Sequence, residues 1–413
     1  MNRTLRIAAA LLAAAPVVAA AQRPLVLAKP ESEYGEPFTS ISGIRELKDG
    51  RVLVADARDK TVQLIDLRSG AATAVGREGS GPGEYGLPMR LVPLPADSTA
   101  VFDAGTQRYL TIHPDAKTGR DFRLEAAAPP AGGDGGRGGR GGMVMMGGLS
   151  IPRGFDAKGN IYYEGMPFSM NDAGEMVSAD SVAVLRFDRA ARRVDTVAFR
   201  KVVKANAQVS GGRGNMNVRI GGGNPLAPAD DWAALPDGRV AVVRAADYHL
   251  DVFSAANRKV SGAPVPYEKI RVDAAVKKMV EDQRARNSRN AVRMTVNAGA
   301  GGTQRSTEIG GARPGEIPPL TDWPDVMPPF QANAAFARPN GEVWVLRTRK
   351  PGDDIPTYDV FDGAGRVIGK VALPKDHRLI GFGQGTVYLI RSDADDLQYL
   401  QRHRLAMDAK LTG

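Results

Sequence analysis

A short unit recurs six times along this chain: a turn bearing glycine or aspartate, a strand rich in Val, Tyr, Trp and Leu, and a second alternating strand. Asp49-Gly50 precedes RVLVADA and then TVQLID; Asp97-Ser98 precedes TAVFDAG and then YLTIHPD. Lys158-Gly159 leads into NIYYEG and VAVLRFD, and Asp237-Gly238 into RVAVVRA and HLDVFSA. Asn340-Gly341 and Gln384-Gly385 introduce EVWVLRT with PTYDVFD and TVYLIRS with LQYLQRHRL. Short strands at hairpin spacing specify antiparallel sheets. A small sheet of this kind buries both faces only when neighbours flank it, so six copies specify a ring. The expected fold is all-β: a six-bladed β-propeller with four antiparallel strands per blade. The sixth copy has only three strands and ends near Lys410, whereas the apolar stretch Pro24–Ala28 has no blade of its own. That N-terminal strand is expected to close the last blade by pairing with Leu397–Arg404, removing the open edge at the seam.

The first 21 residues read as a secretory signal peptide, with Arg3 and Arg6, an apolar run from Ile7 to Val18, and Ala19-Ala20-Ala21 at the cleavage site. Residues 22–413 are then expected to form one propeller domain, monomeric and periplasmic or secreted, with no transmembrane segment after cleavage. The chain has no cysteine, which excludes disulfides, thiolate metal sites and a cysteine nucleophile. The formal charge of +9 falls to +7 when Arg3 and Arg6 leave with the leader. Such a balance favours acidic partners.

The best copy of the unit runs on into Gly76-Arg-Glu-Gly79-Ser-Gly-Pro-Gly83-Glu-Tyr85-Gly-Leu-Pro88. This loop, with the strands around Val54-Ala55-Asp56 and Val62–Asp66, resembles the glycine, aromatic and proline signature of NHL repeats. Over about 50 residues the chain is similar to the secreted bacterial six-bladed propellers of the NHL-repeat-like (TolB-like) type. The resemblance implies a module that binds a protein or ligand; some relatives of this type are lyases or metal-dependent hydrolases.

Long insertions fall near 131–148, 204–224 and 273–315, each in an outer-to-inner connection between blades. In an up-and-down blade these connections all emerge on one face of the disc, as does 166–180 inside blade three. The three insertions carry +1, +3 and +4, which accounts for the whole excess of the mature chain. GGRGGRGG, within 131–148, lacks interleaved aromatics and reads as a solvated loop, so no nucleic acid is expected. Asp273 is placed to cap a helix carrying Val276, Met279 and Val280 on one face, either as a lid or as packing on the rim.

Seven residues before each turn stand Ser42, Arg90, Ile151, Asp230, Asn333 and His377, near the start of each inner strand. Neighbouring Arg153, Asp231, Trp232, Gln331 and Arg378 add polar groups and one aromatic ring. Together they suggest a pocket at the channel mouth for a small polar or anionic ligand, or a docking point for an acidic envelope protein. No cofactor is expected for that role. The enzyme alternative is a lyase or hydrolase whose divalent metal (calcium, manganese or zinc) would be held by Asp230, Asn333 and His377. His113, His249, His377 and His403 show no metal-ligand spacing among themselves, and no G-x-S-x-G elbow is present. Asp56, Asp66 and Asp103 end strands, where aspartate usually accepts from turn amides.

Overall fold

The computed structural model describes residues 24–27, 29–124, 151–165, 167–170, 176–203, 206–210, 217–221, 224–256, 258–289, 292–299, 302–309 and 319–405. The expected leader and the 131–148 insertion lie outside them. Six sheets form the ring. Blade one holds Ile41–Glu46, Val52–Asp56, Thr61–Asp66 and Ala71–Ala74. Blade two holds Pro88–Pro93, Thr99–Asp103, Arg108–Ile112 and Thr118–Phe122. Blade three holds Gly154–Phe155, Ile161–Glu164, Ser181–Asp188 and Arg193–Lys201. Blade four holds Asp231–Ala234, Val240–Arg244, His249–Phe253 and Lys259–Ser261. Blade five holds Ala335–Ala337, Val343–Leu346, Thr357–Phe361 and Val367–Ala372. Blade six holds His377–Phe382, Thr386–Ser392 and Gln398–Arg404.

The period-two alternation within each strand explains the ring. In blade one, Leu53, Ala55 and Leu64 pack on Leu91, Val101 and Leu110 of blade two. The intervening Val52, Val54 and Ile65 face the other way, onto Tyr388, Ile390 and Leu400 of blade six. Equivalent clusters fill the remaining seams, such as Tyr162 and Val184 against Trp232 and Val242, or Trp344 and Val360 against Leu379 and Val387. Each blade therefore has both faces buried. At about 1.5–3 kcal/mol for each fully buried aliphatic side chain, these seams hold the disc without disulfides.

Closure differs from the expectation in one respect. Leu25–Val26 does not pair with Leu397–Arg404; it runs parallel to Val371–Ala372 as a fifth strand on blade five. Ser32–Glu33 closes blade six instead, antiparallel to Gln401 and Arg402, with a further bridge from Phe38 to Gln398. Hydrophobicity pointed to the wrong stretch because Leu25 and Val26 lie on an outer edge and remain exposed. The closing strand is polar and is anchored by charge: Arg391 grips both oxygens of Glu33 at 2.9 and 3.0 Å. The Arg391 hydrogen bond holds the Glu33 carboxyl below the usual carboxylate range. A depressed acid stabilises the fold above its unfolded pKa, and that contribution is lost as pH falls through the folded value. Glu33→Gln should therefore melt earlier than the native chain at pH 7. The gap should close below about pH 4, and an equal gap at pH 7 and pH 3 would contradict the closure.

The Gly76–Pro88 loop serves the seam between blades one and two. Buried Tyr85 receives the Val62 amide at 3.0 Å and donates to the Val75 carbonyl at 2.9 Å. Gly76 adopts φ +67°, and a Cβ there would sit 2.9 Å from both the Gly83 oxygen and the Tyr85 ring. No larger residue fits. On the loop-bearing face, hairpins pair 168–170 with 176–178, 206–210 with 217–221, and 292–299 with 302–309. The helix Ala274–Arg289 begins where expected, with the Asp273 carboxylate accepting from the Val276 amide at 2.9 Å. Val276 and Val280 are buried against Leu226 and Met327, so the helix packs on the connecting segments of the rim.

Candidate functional site

The inner strands of blades six, one and two share a feature. Each carries an irregularity in register: at Ser42 in blade one, at Met89 in blade two and at Ile380 in blade six. The inner strands of blades four and five pair without one. A bulge bends the strand and re-aims its side chains. Here the three bulged strands are adjacent in the ring, and the two outer ones bear Arg90 and Arg378.

These two arginines straddle blade one. Arg90 donates to the Ser42 carbonyl at 3.1 Å, and Arg378 to the preceding carbonyl, that of Ile41, at 3.2 Å. Arg378 also reaches Gln398 Oε1 at 3.2 Å. Both side chains are exposed to water, yet the surrounding channel wall strips part of their solvation. Burial lowers the basicity of both, aided by the charge of Arg153 on Arg90 and of Arg90 on Arg378. Arg378 is pushed down to about 10. Among the described residues no carboxylate forms an ion pair with either guanidinium. Five N–H donors on each exceed the acceptors that the protein supplies. The site thus presents concentrated positive charge with unused donors.

Other residues singled out in the sequence are engaged within the protein. Arg153 pairs with Asp231 and with Glu164, the latter at 3.1 Å, and lies 5.3 Å from the Trp232 ring centroid. Ion pairing with both acids raises its basicity against the opposing effect of burial. Asp231 also accepts from the Ala335 amide at 2.9 Å, tying blades three, four and five at the channel. The Trp232 indole donates to Glu164 at 2.5 Å, and Arg200 completes the cluster. Asp230 accepts from the Lys201 and Ala245 amides and from Arg244. Ser42 Oγ lies within hydrogen-bond distance of the Ala55 and Pro88 carbonyls. Ile151 packs at the edge of the seam between blades two and three.

Among the described residues no hydrogen bond joins Asp230, Asn333 and His377 to one another. Asn333 is exposed in a turn at φ +62°, and Gln331 lies half-buried two residues earlier. His377 places Nδ1 2.7 Å from the Lys375 carbonyl and Nε2 3.0 Å from Gln401 Oε1, in the network that anchors Glu33. Among the described residues no three His, Asp or Glu side chains cluster in a way that could hold a metal. Asp56 and Asp103 accept from turn amides on both oxygens, as strand-ending aspartates are expected to do.

Glu164, Arg200 and Arg244 were missed from the sequence, although a signal was present. Second strands end on Asp56, Asp103 and Glu164 in blades one to three, and on Arg244, Arg347 and Arg391 around the same position in blades four to six. The acids cap backbone or meet arginine, while each arginine meets an acid: Asp230 and Asp251, Asp359, or Glu33.

The sequence matches no family model and no curated protein. Among solved structures, a streptogramin B lyase is 12% identical, with 90% of this chain and 97% of that chain covered and a TM-score of 0.37. A gluconolactonase from Xanthomonas campestris is 10% identical, covering 93% and 99%, with a TM-score of 0.39. A DUF4221 protein from Bacteroides vulgatus is 9% identical, covering 92% and 94%, at 0.44. At these scores the six-bladed assignment rests on the strand topology and the seams. No helix among the described residues is long and apolar enough to cross a membrane.

Proposed function

We propose that this chain is an exported propeller of the NHL-repeat-like type that binds a small anion at the loop-bearing mouth of its channel. The observation that carries the reading is the Arg90–Arg378 pair: two guanidiniums anchored to successive carbonyls, without an ion-paired carboxylate among the described residues. Holding like charges together in a partly desolvated site costs stability, and an anion between them relieves that cost. Planar guanidinium forks favour carboxylate or phosphate oxygens, which accept two parallel hydrogen bonds. Arg153, already neutralised by Asp231 and Glu164, shapes the wall of the mouth without competing for the ligand.

Isothermal titration with inorganic phosphate at low ionic strength tests the reading. The native chain should bind one phosphate, and Arg90→Gln/Arg378→Gln should bind at least about tenfold more weakly, since a hydrogen bond to a charged group contributes about 1.5–3 kcal/mol. Equal affinity in the double variant would refute it.

A further inference from the structure

His377 opens the inner strand of blade six, immediately before Arg378, and both of its ring nitrogens face acceptors. Nδ1 lies 2.7 Å from the Lys375 carbonyl oxygen, which can only accept. Nε2 lies 3.0 Å from Gln401 Oε1. That amide is held in one orientation. Its nitrogen donates to Glu33 at 2.5 Å, and its oxygen also faces Nε2 of buried His403 at 2.9 Å. Turning the amide round would set Oε1 against the Glu33 carboxylate, which Arg391 grips on both oxygens. A neutral imidazole carries one N–H and cannot meet two acceptors. The imidazolium meets both.

The imidazolium ties down the turn that delivers Arg378. Asp376 sits at φ +61°, a left-handed conformation that a non-glycine residue keeps only where its surroundings fix it. The His377 ring closes this turn onto the Lys375 carbonyl, and the Ser392 amide closes it onto the Asp376 carbonyl at 3.2 Å. Titratable and charged groups surround the ring. Glu33 lies on the closing strand, His403 on Gln398–Arg404, and Arg391, opposite His377 in register, on Thr386–Ser392. Lys375 and Asp376 precede the ring, with the Lys375 amine 2.9 Å from Asp354 of blade five, and Arg378 follows it. Arg391 is committed to Glu33, so hydrogen-bond geometry rather than an ion pair retains the second His377 proton. Burial holds the Tyr358 hydroxyl, in the field of Arg378, well above the usual phenol range. The His377 ring is half-buried, within reach of solvent protons.

We propose that doubly protonated His377 is a positioning residue of the anion site, fixing Arg378 and so coupling anion capture to proton uptake. This rests on the anion site proposed above and adds its regulation. Either neutral tautomer breaks the bridge, because one ring nitrogen then turns a lone pair on an acceptor. The ring can hold the turn or the third strand, but it no longer ties one to the other. The turn gains freedom, and Arg378 with it. Anion affinity therefore falls as pH rises through the range in which imidazoles lose their charge. Coupling is reciprocal, so a bound anion raises the proton affinity of His377 by the same factor.

The test is calorimetric titration with sulfate, which stays a dianion throughout, at about pH 5.5 and about pH 8. The native chain and His377→Gln are compared, each checked for native melting. The native chain should bind at least about fivefold more tightly at the lower pH, the least that coupling between sites usually gives. His377→Gln, which hydrogen-bonds but does not titrate, should bind equally at both. The ring-proton NMR signal of His377, identified by its absence from His377→Gln, should titrate at higher pH when sulfate is saturating. Equal native affinity at both pH values overturns the inference and leaves the anion site standing. So does a pH dependence that survives in His377→Gln, or a His377 signal whose midpoint ignores sulfate. No sulfate binding at either pH overturns the anion site and this inference together. The two failures are therefore distinguishable.

Discussion

Asp231→Ala should unfold at markedly lower denaturant concentration than the native chain, with a stability loss of about 3–5 kcal/mol. The magnitude follows from what the substitution strands. The Asp231 side chain is 2% exposed and Arg153 19%, so removing the acid leaves a poorly solvated guanidinium with Glu164 as its remaining acidic partner. The Ala335 amide loses its acceptor at the same time. Asp231→Asn, which can still accept from that amide, should cost less than Asp231→Ala. Equilibrium urea unfolding would separate the two. A loss below about 1 kcal/mol for the alanine variant would mean that blades three to five do not depend on this junction.

Arg378→Gln should have the opposite effect on stability. Its guanidinium is held beside Arg90 without an ion-paired acid, so neutralising it removes a repulsion and a desolvation cost together. The variant should melt above the native chain in buffer free of multivalent anions, and phosphate should raise its melting point much less. Sites that bind charge often trade stability for function in this way. A variant that melts lower than the native chain, with unchanged response to phosphate, would show that Arg378 is a structural arginine.

The ring was legible because its cause is local. Turn residues such as Asp49-Gly50 and Asn340-Gly341 mark each hairpin, and the apolar strands that follow are buried on both faces. Closure was only half legible. The sequence shows that blade six lacks a strand, but Ser32–Glu33 is too polar and too short to signal itself. Apolar Leu25–Val26 signalled instead and proved to be an edge addition to blade five. The site shows the same limit. Counting back from each turn picks out Arg90, with Arg153 and Arg378 beside other counted positions, yet counting cannot tell a paired arginine from an unpaired one. That distinction depends on Glu164 and Asp231 reaching Arg153 from two different blades, the second across 78 positions of sequence.

The most direct test is diffraction from crystals of the mature chain soaked in selenate, with anomalous scattering used to locate the anion. The account predicts a selenium peak at the channel mouth within hydrogen-bond distance of both Arg90 and Arg378, absent from crystals of the double glutamine variant. An empty mouth, with selenate bound only to the outer surface, would contradict it.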